Sequence, residues 1–221
     1  FTCEASHPIL AFWWDFTGAA GGITITDSVK GIVATTKSGN GGDLPQRSVT
    51  GVVMVGTGPM ESTANKGGFL ELALGEEIIG GSMTVEGVIK WNAFNFFSHL
   101  FGCGNGEAID NFYITNYQAT GQLSWGIYKG LGIQKVTSTH TLEVGVRYHI
   151  VATVSGTTMI TYVDGVQETS ISTGWEPTAM TRSKCYVGGS NWEAEGYLSG
   201  EVSSLKIYSG AMSQAQVTAA Y

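Results

Sequence analysis

Short runs of alternating apolar and polar residues, broken by Gly, Asn or Asp, recur along the whole chain, and helical periodicity is nearly absent. Side chains on a strand point to opposite faces in turn, so an i, i+2 repeat of apolar residues marks one buried face. Residues 82–91 show it most clearly: Met83, Val85, Gly87, Ile89 and Trp91 alternate with Thr84, Glu86, Val88 and Lys90. Residues 147–154 (RYHIVATV) are apolar on both faces, which predicts a central strand. Further strands are predicted over residues 8–16, 50–55, 68–74, 96–101, 157–163, 185–188 and 200–208. A short hairpin falls at 23–26 and 31–36, and a meander at 111–117 and 121–128. Asp164-Gly165 supplies a two-residue hairpin turn, while residues 38–43 and 102–106 read as a loop and a turn. Only the tail looks helical, with Ser213 as N-cap of an Ala-rich segment ending at Tyr221. About a dozen strands with no linker or repeat predict an all-β fold of two packed antiparallel sheets. This is a jelly-roll sandwich with a short C-terminal helical turn, one domain over residues 1–221.

Composition narrows the functional classes. The chain has 221 residues, of which 43% are hydrophobic and only 13% charged, with 32 glycines to supply turns. That balance excludes a disordered chain. The net charge is −7 and the 11 Lys and Arg residues are scattered, which argues against a nucleic-acid partner and against an anionic membrane surface. No run of 18 apolar residues exists, so no membrane insertion is expected. The chain starts at Phe1 and shows no signal-peptide pattern, which reads as a processed N-terminus or an excised domain of a secreted, extracellular or cell-surface protein. Cys3, Cys103 and Cys185 form no C-x-x-C pair. They allow one disulfide in three pairings, with the remaining thiol either buried or bridged to another chain.

Three stretches resemble the laminin-G-like, concanavalin-A-like jelly rolls. They are SMTVEGVIK at 82–90, RYHIVATVSGTTMITYVDG up to Gly165, and YVGGSNWEAEGYLSGEVSSLKIYSGAMSQAQV at 186–217. The resemblance covers residues 82–221 and implies the two-sheet jelly roll; it specifies activity poorly. Pentraxins, within that group, bind calcium through an Asp-Asn pair opening one strand and an acidic loop after a late strand. Asp110-Asn111 before FYIT, and the loop Gly189-Ser190-Asn191-Trp192-Glu193, stand in the corresponding places. The resemblance therefore implies Ca²⁺ held by Asp110, Asn111, Asn191 and Glu193, with Glu195 or Glu107 adding a further oxygen. Ca²⁺ takes six to eight oxygen ligands, and the low charge here makes for weak affinity. The alternative for Asp110-Asn111 is a turn dipeptide bonded to its own backbone.

Sugars present apolar CH faces and many hydroxyls, so their sites want an exposed aromatic beside Asn, Asp or Glu. Trp192, flanked by Asn191 and Glu193, fits that chemistry, with Glu195 close by in sequence. Trp175 in a Gly-, Pro- and Thr-rich loop and Asn105 in the 102–106 turn are further candidates, and residues 91–95 (WNAFN) form a second cluster. Against this, tryptophans anchor sandwich cores, and at least one of Trp13 and Trp14 must do so. Catalysis lacks its usual signs. Retaining glycosidases need two carboxylates roughly 5 Å apart, and the E-x-D-x-E strand of related glucanases does not occur. Glu193 and Glu195 have no third acid beside them, and His7, His99, His140 and His149 lack zinc spacing. There is no N-x-[ST] sequon. The sequence thus predicts an extracellular carbohydrate-binding or adhesion module, assisted by Ca²⁺, acting on a glycan or glycoprotein and not an enzyme. The alternatives are a structural module packed into a homo-oligomer, tandem array or filament, and a divergent glycan-degrading enzyme.

Overall fold

The computed structural model describes residues 8–21, 24–59 and 62–221. Within them the strands run, in chain order, β1 (Ile9–Asp15), β2 (Thr24–Thr26), β3 (Val33–Gly39), β4 (Gln46–Ser48), β5 (Gly51–Met54), β6 (Gly67–Leu72), β7 (Ile78–Ile79), β8 (Met83–Ala93) and β9 (His99–Gly104). They continue as β10 (Phe112–Asn116), β11 (Gln122–Lys129), β12 (Gly132–Thr141), β13 (Arg147–Ser155), β14 (Thr158–Val163), β15 (Val166–Ile171), β16 (Met180–Thr181), β17 (Lys184–Val187) and β18 (Ser199–Ser209), followed by helix α1 (Gln214–Ala220). The first sheet has the order β15-β14-β13-β8-β18-β5-β4, with β1 also paired to β18. The second has the order β12-β11-β10-β9-β17-β6-β3-β2, and β7 and β16 form a separate ribbon. The recorded pairings between these strands are antiparallel, as a jelly roll requires.

The core lies between the sheets and follows the alternation. Met83, Val85, Ile89 and Trp91 of β8 are buried in it with Ile150, Ala152 and Val154 of β13. They join Phe112 and Ile114 of β10, which sit opposite Ile127 and Trp125 of β11. Trp14 is fully buried and donates from Nε1 to the Ile32 carbonyl at 3.0 Å, whereas its neighbour Trp13 faces outward at 38% exposure. Strand β13 lies between β8 and β14, and its second apolar face has a cover: Val217 of α1 packs on Val151 and Tyr162. Ser213 caps that helix in a reciprocal box with Gln216. Asp164 (φ 50°) and Gly165 (φ 79°) make the tight turn between β14 and β15, both in the left-handed region such a turn needs.

Five strands lie outside the sequence prediction: β4, β7, β12, β15 and β16. β4, β7 and β16 have only two or three residues, too few to show an alternation, while β12 and β15 each end a sheet and their residues stay mostly polar. The strand predicted from residue 96 begins at His99, because Phe97 takes φ 49° and Ser98 is in a turn with Asn95.

Cys103 and Cys185 form a disulfide between directly opposed positions of β9 and β17, both fully buried. Cys3 and His7 lie outside the described residues. The bond closes a chain separation of 82 residues. Chain entropy alone makes that worth up to about 4.5 kcal/mol. Cys103→Ala/Cys185→Ala should lower the unfolding free energy by about 2–5 kcal/mol in urea titration; an unchanged midpoint would show that strand pairing alone holds β17.

The outer face of the first sheet carries a buried ionic ladder. Glu86 (2% exposed) accepts from Lys206 Nζ at 2.7 Å and from Tyr208 Oη at 2.8 Å, and lies 3.2 Å from His149 Nε2. Glu201 is bracketed by Lys90 at 2.9 Å and Arg147 at 3.1 Å. Burial pushes the Glu86 pKa upward, but the His149 imidazole 3.2 Å away and the hydrogen bonds from Lys206 and Tyr208 outweigh it and hold the group at about 2. Glu201 reaches about 2 in the same way: burial raises it, and bonds from Thr50, Lys90 and Arg147 lower it further. Depressed carboxylates stabilise the fold fully above their ordinary value of 4.5, and that contribution is lost as the pH falls towards 2. For Glu86 the contribution is on the order of 3 kcal/mol. Urea midpoints should therefore drop between pH 5 and pH 2, and Glu86→Gln should flatten part of that slope.

Candidate functional site

The loop between β17 and β18 folds back across the outer face of the second sheet. Tyr113 points outward because its neighbours Phe112 and Ile114 face the core, and Tyr128 does likewise beside Ile127. Tyr113 sits on Gly126 of the adjacent strand, where any Cβ would overlap the phenol ring. Trp192 rests on this pair, its ring centroid 5.2 Å from Tyr128 and 5.7 Å, edge-on, from Tyr113. It is half-buried, and its third neighbour is His99 at 6.4 Å.

Glu195 anchors the loop. Its Oε2 lies 2.8 Å from Nε2 of His99, which is 1% exposed, and it also accepts a short hydrogen bond from Ser190 Oγ. Ser190 Oγ accepts from the Trp192 amide at 3.0 Å, and the Glu195 amide donates to the Trp192 carbonyl at 3.2 Å. The indole is thus positioned by backbone bonds made to the groups that hold the carboxylate. Burial raises the pKa of Tyr113, aided by Tyr128, Glu195 and Tyr117; burial raises that of Tyr128, aided by Glu195 and Glu107. Both phenols stay protonated at neutral pH and keep a hydroxyl donor in an acidic setting.

A groove of about 240 Å³ opens on the other flank of the loop. Its walls are Phe69, Tyr186 and Tyr197, with Lys184, Asn191 and Glu193 along it. Phe69 and Tyr186 meet edge to face at 5.2 Å. Aromatic rings therefore bracket the polar loop on both sides.

The two loops singled out in the sequence meet directly. Asn191 Nδ2 donates to Asn111 Oδ1 at 2.6 Å and to the Lys184 carbonyl at 3.1 Å. Asn111 is buried and donates to the carbonyls of Gly106, at 2.6 Å, and Ile109, at 3.3 Å. Asp110 takes φ 50°, a conformation Asp tolerates better than most residues. Its carbonyl accepts from Arg182 Nε at 2.8 Å. Arg182 is itself buried, donates to the Ile79 and Thr178 carbonyls, and stacks on Phe112 at 5.0 Å. Burial lowers its pKa to about 10 against the opposing charge of Asp110. Glu193 is exposed at the groove. Among the described residues no three His, Cys, Asp or Glu side chains converge as a metal cage.

Trp175 and Asn105 are not part of this cluster. Trp175 packs against the core and donates from Nε1 to the Ile127 carbonyl at 3.0 Å. Asn105 spends its amide on the strand ends, accepting from the Ser183 amide at 3.0 Å and donating to the Thr181 carbonyl at 3.2 Å. Sequence reasoning passed over His99, Tyr113, Tyr128, Phe69 and Tyr186. Their signal was available only as the outward half of each strand's alternation.

The family model of the concanavalin A-like lectin/glucanases superfamily of laminin G type matches residues 53–218, and the chain belongs to that family. No curated protein sequence matches it. Among solved structures, domain 4 of AbnA, a GH43 extracellular arabinanase from Geobacillus stearothermophilus in complex with arabinotriose, is similar with a TM-score of 0.65 and 14% identity, covering 97% of this chain and 98% of that one. The CBM40 of the Ruminococcus gnavus IT-sialidase, bound to α2,3 sialyllactose, has a TM-score of 0.55 and 12% identity over 63% of this chain and 82% of its own. A heptameric SAP-like pentraxin from Limulus polyphemus has a TM-score of 0.51 and 21% identity over 64% of this chain and 71% of its own. At these identities the likeness is one of fold. Among the described residues no helix is long and apolar enough to cross a membrane.

Glu195→Ala removes the carboxylate facing buried His99 and frees Ser190. It should cost about 1–3 kcal/mol of stability and raise hydrogen exchange at the Trp192 and Glu195 amides, while the Cys103 amide stays protected.

Proposed function

We propose that the chain is an extracellular carbohydrate-binding module whose ligand lies across the 189–195 loop on the outer face of the second sheet. The observation that carries this reading is the placement of a polar loop, with Asn191, Glu193 and Trp192, between two sets of outward aromatic rings. Rings supply apolar faces for sugar CH groups; Asn191, Glu193 and the phenol hydroxyls match sugar hydroxyls. The complexes of the similar folds with arabinotriose and sialyllactose support the ligand class. The setting here is acidic, since Glu107 and Glu195 both act on Tyr128, so uncharged sugars suit it better than sialylated ones. The reading is binding and not turnover: the half-buried carboxylate of Glu195 is committed to His99 and Ser190.

Calcium belongs to the same proposal. Asn191 Oδ1 is buried without a donor, beside the Asn111 amide, with Asp110 next to it in sequence. An all-oxygen set of low charge fits weak Ca²⁺ binding, on the order of 10⁻⁴–10⁻³ M. Asp110, Asn111, Asn191 and Glu193 would hold the ion, which would stiffen the rim where the glycan lies.

Calorimetry with arabinotriose and with sialyllactose, each in calcium and in chelator, tests both parts. Binding of the uncharged sugar is expected, at least about tenfold weaker in Trp192→Ala, since a ring face is worth about 1.5 kcal/mol. Calcium should raise the melting temperature, because selective binding to the folded state must stabilise it. A glycan array with no binder in either buffer would sink the carbohydrate reading, and an unmoved melting temperature the calcium one.

A further inference from the structure

The turn between β8 and β9 holds a phenylalanine in a backbone conformation that suits it poorly. The Ser98 amide donates to the Asn95 carbonyl at 3.2 Å and closes a turn over residues 95–98. Phe97 stands third in it with φ 49°, a left-handed conformation that this position usually reserves for Gly or Asn. For a bulky residue that conformation is strained. A buried side chain enforces it. Asn116 is fully buried and uses its whole amide. Its Oδ1 accepts from the Ser98 amide at 2.9 Å and from Ser98 Oγ at 2.6 Å, and its Nδ2 donates to the carbonyls of Asn95 at 2.9 Å and Gln118 at 2.6 Å. The Phe97 amide also donates to the Gln118 carbonyl, at 2.8 Å.

The strain serves no core packing. None of Phe96, Phe97 and Tyr117 is among the core residues, and Phe96 is 40% exposed. The three rings stand in edge-to-face succession, Phe96 to Phe97 at 4.7 Å and Phe97 to Tyr117 at 5.5 Å between centroids. They share the outer face of the second sheet with the Trp192 loop. Lys135 of β12 lies opposite Gly126 of β11, which lies opposite Tyr113 of β10, so Lys135 and Tyr113 point to one face. Lys135 holds its ammonium 4.8 Å from the Tyr117 ring centroid, which puts Tyr117 on that face too. Four residues of extended chain separate Tyr113 from Tyr117, a span of about 13 Å. The turn is also tied to the far end of the loop: Asn95 Nδ2 donates to the Tyr197 carbonyl at 2.8 Å, and the Gly196 amide to the Phe96 carbonyl at 2.6 Å.

We propose that Phe96, Phe97 and Tyr117, with Lys135, form a further subsite that takes the continuation of a linear, uncharged oligosaccharide from the Trp192 loop. The subsite rests on the carbohydrate reading for its ligand class, and it makes that ligand a chain and not a single terminal sugar. The rings supply apolar faces for sugar CH groups, and the exposed Lys135 ammonium offers up to three donors to sugar oxygens. Strained residues persist where the surrounding structure over-determines them, and they cluster at ligand clamps; the buried Asn116 network supplies that determination here. A span of about 13 Å exceeds one sugar ring, so only a chain engages both places. The second contact is then intramolecular, and the overall affinity rises with ligand length.

Calorimetry with sugars of two lengths tests the subsite: arabinotriose against arabinohexaose, then maltotriose against maltohexaose. The unmodified protein should bind a hexasaccharide at least about tenfold more tightly than the matching trisaccharide, the gain of one further ring face. Phe97→Gly suits the left-handed turn and should hold the melting temperature. Its hexasaccharide affinity should fall to that of the unmodified protein for the trisaccharide. Equal affinity for both lengths in the unmodified protein would overturn the subsite and leave the carbohydrate reading standing. A lowered melting temperature in Phe97→Gly, with the gain from length intact, would show that the ring only packs and would overturn the subsite as well. No binding of any of the four sugars would overturn both.

Discussion

Strand β18 is paired along one whole edge with β8, and along the other with β5 in its first half and β1 in its second. The first sheet therefore has no continuous centre until β18 is in place. Its inward residues Val202, Leu205 and Ile207 complete the core. Its outward Glu201, Lys206 and Tyr208 provide the ionic ladder. The loop that precedes it, carrying Trp192 and Glu195, is held between this strand and β17. One strand thus sets the position of both the ionic ladder and the candidate loop, although they lie on opposite faces.

Much of the fold was legible because burial writes a period of two into a strand with one covered face. In β8 the inward set of Met83, Val85, Ile89 and Trp91 was readable from sequence, and β13 read as central because both of its faces are covered. What escaped was β4, β7 and β16, too short to carry an alternation, and β12 and β15, whose edge positions leave too little buried surface to impose a pattern. The disulfide could not be chosen among three pairings by spacing, because Cys103 and Cys185 are neighbours only through the pairing of β9 with β17.

The site was less legible than the fold, for a physical reason. The sequence placed Asp110-Asn111 and Asn191-Trp192-Glu193 on loops, and the two asparagines do touch. The rings that bracket the loop come from strands far apart in the chain: Phe69 on β6, Tyr113 on β10, Tyr128 on β11 and Tyr186 on β17. An outward tyrosine on a strand looks the same in sequence whether it meets solvent or a partner loop. Nor could Trp192 be read as packed, since its neighbours are fixed by Glu195 reaching the buried His99.

The pairing of Ile9 with Ser209 has a consequence for how the chain is made. Synthesis at roughly 5–20 residues per second places about 10–40 s between the emergence of these two partners. Over that interval β1 has no sheet partner, and Phe12 and Trp14 have beside them little more than the neighbouring residues 27–32. Contacts so distant in sequence are also slow to form in the finished chain. The sandwich is thus one whose first-made strand waits for its last, and its newborn form is the state most in need of protection from self-association.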